Sequence, residues 1–167
     1  YNAEKAIIDV TQESSTTYTI LRPVLVIGKD APGNIGKLNK LIRTRLPLPF
    51  KNIKNSRSLI HVNDLVEVLR LVIEEPLTEN KTYVVGSKTS VSTTELIKYL
   101  SQTRNKLFFF PKFIFYFLFF CMGKKTIYHQ LFNSYEVDST NLYNDINWSV
   151  NSPLKDRQES KIKSALR

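Results

Sequence analysis

Tyr18-Thr19-Ile20-Leu21-Arg22-Pro23-Val24-Leu25-Val26-Ile27-Gly28 is the run on which the fold turns. It is rich in β-branched and aliphatic residues, Pro23 interrupts it once and Gly28 ends it, so it is predicted to be a strand feeding a loop that runs to about Asn34. A helix is expected on each side. Upstream, Ala3, Ala6, Ile7 and Val10 recur at helical spacing until the Ser14-Ser15-Thr16-Thr17 cluster, which puts Tyr1 and Lys5 on one face. Downstream, Ile35, Leu38, Leu41 and Ile42 form one apolar stripe among lysines and arginines, the pattern of a surface helix over 35–45.

The alternation continues along the chain. Pro47 and Pro49 forbid regular structure, and Ser58 to Val62 reads as a short strand. Leu65, Val66, Leu69, Val72 and Ile73 then line one face of a helix that Asn63 or Asp64 caps and Pro76 stops. Thr82 to Val85 is another strand, and Ser92-Thr93-Thr94-Glu95 spells a capping box for a helix through Leu100. Glu136 to Asp138 reads as a short strand, Ser139 as the start of a small helix, and Ser152-Pro153 as the cap of a last one. Helices alternating with strands argue for the α/β class. The strands are few and short, as when most of a sheet belongs to another segment, and with Tyr1 in place of an initiator methionine a truncated chain is the expectation.

Composition narrows the partners. The 167 residues, 42% hydrophobic, suffice for one domain with a core. A formal charge of +9 attracts an anion, whether nucleic acid, acidic lipid or a pyrophosphate-bearing metabolite. The cations Lys37, Lys40, Arg43, Arg45, Lys51, Lys54 and Arg57 are scattered until the charged tail at Lys155 to Arg167, and no basic stripe is interleaved with aromatics, which argues against a nucleic-acid site. Cys121 is the one cysteine, so an internal disulfide is excluded and a cytoplasmic location fits; the first residues lack the order of a secretory signal. Leu107 to Met122 gathers eight phenylalanines, but Pro111 and Lys112 split it into apolar pieces of four and ten, short of the roughly 20 residues a span requires. A helix buried against the domain or at a subunit contact is the ordinary reading; an interfacial helix is the alternative.

Tyr1-x-x-x-Lys5 carries the sharpest chemistry. A free phenol loses its proton only near about pH 10, so a tyrosine working near neutrality needs a neighbouring cation, and a lysine one turn along supplies it while also reaching a cofactor ribose. By itself this spacing is common on solvated helices. The stretch Gly28-Lys29-Asp30-Ala31-Pro32-Gly33-Asn34-Ile35-Gly36 fails both phosphate-loop templates and reads as a connection. Arg57, just before a strand, has the planar fork suited to a phosphate. His61 and His129 are isolated, which argues against a metal or a Ser-His-Asp arrangement.

Taken in order, Tyr1-Asn2-Ala3-Glu4-Lys5, Tyr18 through Pro23 with Ile27-Gly28, Pro32-Gly33, Leu46-Pro47-Leu48-Pro49-Phe50, Arg57-Ser58-Leu59-Ile60-His61-Val62-Asn63-Asp64-Leu65, and Glu136-Val137-Asp138-Ser139 with Ile146-Asn147-Trp148 resemble the NAD-dependent epimerase/dehydratase family of extended short-chain dehydrogenases/reductases. The resemblance implies the C-terminal part of a Rossmann-type fold: residues 1–153 as catalytic helix and substrate lobe, 154–167 as a charged tail or helix. It implies an epimerase or 4-keto-reductase of polysaccharide biosynthesis, dimeric when intact, in which Tyr1 exchanges a proton with a sugar hydroxyl while NAD(P) moves a hydride at the same carbon. Lys5, Arg22 and Pro23 then face the cofactor; Val24, Asn34, Pro47, Leu48, Pro49, Phe50 and Arg57 face a nucleotide-diphosphate sugar, with the proline loop on the base and Arg57 on the pyrophosphate. Three positions depart from the family pattern: Val26-Ile27-Gly28 replaces Val-Tyr-Gly, Ile146-Asn147-Trp148 replaces Leu-Gly-Trp, and no second arginine stands near Phe132-Asn133-Ser134-Tyr135. The family's glycine-rich cofactor turn lies upstream of its tyrosine, so this chain is expected neither to bind NAD nor to turn over by itself. The rival expectation is a non-catalytic module that docks on membranes through the Phe-rich helix and basic tail.

Overall fold

The aliphatic run divides between two partners. In the computed structural model, which describes residues 2–28, 31–102, 106–121, 123, 125–150 and 154, helix α1 (Asn2–Gln12) leads into strand β1 (Thr19–Pro23), and after Val24 the chain re-forms as β2 (Leu25–Ile27). Two helical crossovers follow, as parallel pairing demands. Helix α2 (Gly33–Arg43) leads to β3 (Leu59–His61), and α3 (Val62–Glu74) leads to β4 (Lys81–Val85). β1 pairs in parallel with β4, from Thr19 opposite Lys81 to Pro23 opposite Val85, whereas β2 pairs in parallel with β3, from Leu25 opposite Leu59 to Ile27 opposite His61. Pro23, which has no N–H to give the ladder, is the last β1 residue, so the single strand expected over Tyr18–Ile27 becomes two that part at Val24.

The remaining helices are α4 (Thr93–Ser101), α5 (Lys112–Cys121), α6 (Lys125–Phe132) and α7 (Thr140–Asp145). At α4 the capping box forms as read: the Ser92 hydroxyl accepts from Glu95 N at 3.1 Å, and Ser92 N donates to Glu95 Oε2 at 2.7 Å. The cap of α3 differs. The helix starts directly after β3, so the extended residue at its mouth is His61, whose Nδ1 accepts from Asn63 N at 3.2 Å; neither Asn63 nor Asp64 is the cap. Glu136 to Asp138 do not form a strand, because their neighbour Tyr135 takes the backbone pairing with the Arg57 segment, and Asp138 instead accepts from Thr140 N at 2.9 Å at the head of α7. The cap expected at Ser152-Pro153, and Tyr1 itself, lie outside the described residues.

Burial supplies the main driving force for the fold. One cluster joins Ile60, Val68, Val72, Tyr83, Val85 and Leu142, so α3 and α7 close over β3 and β4. A second joins Ile42, Leu48, Phe50, Ile97, Phe115 and Phe132, packing the α5–α6 hairpin against α2 and α4. The Phe-rich helix is thus part of this core on one side. Buried Asn55 ties the loop before β3 to α4 and to the end of α6: its Oδ1 accepts from Thr93 N at 2.8 Å, while its Nδ2 donates to Thr93 Oγ1 at 3.0 Å and to the Leu131 and Asn133 carbonyls at 3.2 Å each.

Candidate functional site

Lys5 is exposed on α1, a helix with no buried residue among those described. An ion pair links that helix to the sheet: Arg22 of β1 donates from Nε to Glu4 Oε1 at 2.9 Å and from Nη2 to Glu4 Oε2 at 2.6 Å. Arg22, expected at the cofactor, is thereby engaged in positioning the helix that carries Lys5, and Pro23 beside it is exposed. The forked bonds from Arg22 hold the Glu4 carboxyl below its ordinary value. A lowered pKa in the folded state means that the tie is fully present above the unfolded value and fades as pH falls through the lower folded one. Amide protection factors in α1 are therefore expected to drop as pH is lowered from about 6 to about 3, and Arg22→Gln is expected to remove that dependence. Protection that stays flat in the parent chain would mean that the fork does not anchor the helix.

Val24, half-buried where β1 gives way to β2, meets the end of β4. A Cβ built at Gly86 would lie 3.2 Å from Val24 Cγ2 and 3.0 Å from Val137 Cγ2, so the three segments close tightly there and any larger residue would push those methyls back by a few tenths of an ångström. Gly86 is held from both sides, its N–H donated to Ser139 Oγ at 2.9 Å and its carbonyl accepting from the Tyr143 hydroxyl. From Gly86 the chain runs beside β3, with Ser87 N donating to Leu59 O at 2.9 Å, and reaches Val91.

Val91 is where Arg57 is gripped. Arg57 N donates to Val91 O at 3.0 Å and Val91 N returns a bond to Arg57 O at 2.9 Å, while Tyr135 N donates to Ser56 O and Ser58 N to Tyr135 O, both at 2.8 Å. Arg57 is half-buried, and burial lowers its pKa, although a guanidinium keeps its charge near neutrality. Hydrogen bonds from Ser56 and Ser90 hold Glu136, close by, below the usual carboxylate range.

The proline loop divides by side chain. Leu48 and Phe50 are buried, Phe50 stacking on Phe115 at 6.0 Å between centroids, and Leu48 exchanges backbone bonds with Lys106 and Phe108. Neither side chain is presented to a ligand, because the apolar groups are drawn into the core; exposed Pro47, half-buried Pro49 and the backbone are what the loop offers. Asn34 is exposed in the first turn of α2. The structure thus joins Lys5, Arg22, Val24 and Arg57 through one continuous scaffold. It adds two residues that sequence reasoning had not assigned, Glu4 and Glu136, whose partners lie 18 and 80 positions away and leave no local signal.

A family model described as NAD dependent epimerase/dehydratase matches residues 1–86, from the start of α1 past the end of β4. The chain belongs to that family. The UDP-glucose 4-epimerase of Vibrio cholerae is similar at 29% identity over 158 residues, covering 92% of this chain and 48% of that enzyme. Among solved structures, Pal from Bacillus thuringiensis aligns with a TM-score of 0.65 at 15% identity, covering 98% of this chain and 51% of its own. A UDP-glucose 4-epimerase from Thermotoga maritima, solved with UDP-glucose, aligns with a TM-score of 0.62 at 18% identity, covering 99% and 52%. The fold is that of Rossmann-type extended short-chain dehydrogenases/reductases, and the chain spans about half the length of the curated relative it matches.

Proposed function

We propose that this chain supplies the proton-shuttle helix and the nucleotide-sugar lobe of an NAD(P)-dependent enzyme that epimerises a UDP-hexose or hexosamine at C4 or reduces its 4-keto form. The observation that carries the reading is the scaffold itself. Glu4–Arg22 links α1 to β1, Gly86 brings β4 against Val24, and the strand pairing at Val91 and Tyr135 fixes the backbone of Arg57, so Lys5 and Arg57 stand on one packed unit, which supports reading them as cations for a phenol and for a pyrophosphate. Ligands of open α/β sheets bind where strand neighbours diverge, and Val24 marks such a divergence.

In this reading the Lys5 ammonium favours the Tyr1 phenolate, which takes the proton of the sugar hydroxyl and later returns it. Arg57 neutralises the pyrophosphate, and Pro47 and Pro49 flank the base. NAD(P), when bound, accepts or returns the hydride. The residues present fit only its nicotinamide-ribose end, through exposed Lys5, since the five glycines of the sequence nowhere form Gly-x-x-Gly-x-x-Gly. Surface-polysaccharide precursors in the cytoplasm are the setting this implies, and a homodimer the assembly.

Calorimetry tests it. UDP is expected to bind the 167-residue chain and Arg57→Ala to weaken that binding by roughly ten- to a hundredfold, the worth of one charge-assisted bond to phosphate, while NAD shows no micromolar binding. Equal UDP affinity in the two proteins would remove Arg57 from the site.

A further inference from the structure

We propose that the outer face of α5 is a peripheral membrane surface, its aromatic side chains seated in the interfacial layer of an anionic leaflet and its flanking lysines on the headgroups. Helix α5 is apolar nearly all round, yet it packs on one side only. Phe115 and half-buried Phe119 enter the core with Phe110 and Phe132. On the other side Phe113 and Phe117 are 73% and 68% exposed, with Tyr116 and Phe120 beside them and Phe108 and Phe109 leading in. A contiguous apolar face of this kind marks a contact with something else.

Charge says what that something is. Between Glu95 and Glu136 the sequence contains no acidic residue, while Lys98, Arg104, Lys106, Lys112, Lys124 and Lys125 fall within the same interval. Lys112 and Lys125 stand just before and just after the exposed aromatics, and Lys125 Nζ lies 4.1 Å from the Phe120 ring centroid, which puts a cation on the rim of the patch. A second copy docked through this face in a two-fold contact would set these cations against their equivalents with no carboxylate from the interval to pair them. A negatively charged leaflet is attracted to every one of them. The helix, ten residues long, lies on such a surface rather than through it, and no described helix is long and apolar enough to cross a membrane.

The test is flotation of the 167-residue chain with vesicles of phosphatidylcholine, either pure or one-third phosphatidylglycerol. Binding is expected to the mixed vesicles, to weaken as salt is raised, and to fall by about tenfold or more in Phe113→Glu/Phe117→Glu, with circular dichroism unchanged. If that variant does not fold, Lys112→Glu/Lys125→Glu, altered only at exposed rim positions, is expected to lose about tenfold or more on mixed vesicles. Absence of vesicle binding overturns the proposal. So does binding that is equal on pure phosphatidylcholine, or a Phe113→Glu/Phe117→Glu variant that binds vesicles normally and instead converts a dimer to a monomer in sedimentation.

Discussion

In the enzyme proposed above, Tyr1→Phe is expected to lower turnover by about 10²- to 10⁴-fold while changing affinity for the UDP-sugar by no more than about twofold. Phenylalanine keeps the ring and removes only the hydroxyl that, on the proposed reading, accepts and returns the proton. The loss therefore appears in kcat and not in binding, since the hydroxyl's transfer is confined to the transition state. The measurement is steady-state kinetics on the polypeptide in which this chain is joined to a dinucleotide-binding part. A variant that retains more than about a tenth of the parental turnover would falsify the assignment of Tyr1 as the shuttle and leave Lys5 without its purpose.

Ile60→Ala is expected to cost about 2–5 kcal/mol of folding stability, read as a lower denaturant midpoint at unchanged slope. Ile60 is fully buried at the centre of β3, in the cluster that joins α3, β4 and α7, and truncation leaves a cavity that these rigid elements fill poorly. It stands three positions after Arg57, so the same change also loosens the strand that follows the arginine proposed for the pyrophosphate. UDP affinity is accordingly expected to fall along with stability. A loss below about 1 kcal/mol would mean that the strand is held by its hydrogen bonds alone and that the cluster contributes little there.

Features decided within one turn of helix or one strand were legible in the sequence. The capping box at Ser92 needs only its own four residues, and the helix of α3 needs only its own period. The face that α3 buries was misread: Val68 and Val72, with Leu65 and Leu71 beside them, enter the core, while Val66, Leu69 and Ile73 of the expected stripe are exposed. The α/β class followed from the alternation of helices and strands. What was not legible depends on partners far along the chain. The break at Val24 arises because β4 and β3, more than thirty residues downstream, claim different halves of the run. His61 displaces Asn63 as a cap because β3 ends where the helix begins. Leu48 and Phe50 read as a base-flanking loop, and they are drawn inward by Phe115 and Ile97 from two other helices. Lys5 was picked out by its spacing from Tyr1 and Arg57 by its place in the order of motifs, whereas the fork between Arg22 and Glu4 joins residues too far apart in sequence to be read. The order of motifs carried the family; the geometry of side chains did not follow from it.

Asn55 holds a consequence for how such a protein ages. Its primary amide donates to one hydroxyl and two carbonyl oxygens at once. Hydrolysis of that amide to a carboxylate, an event requiring no change in the gene, would set negative charge against those carbonyls and unfasten the segment two residues before Arg57. On the proposed reading, weaker UDP binding would then appear in old preparations in which Arg57 itself is intact.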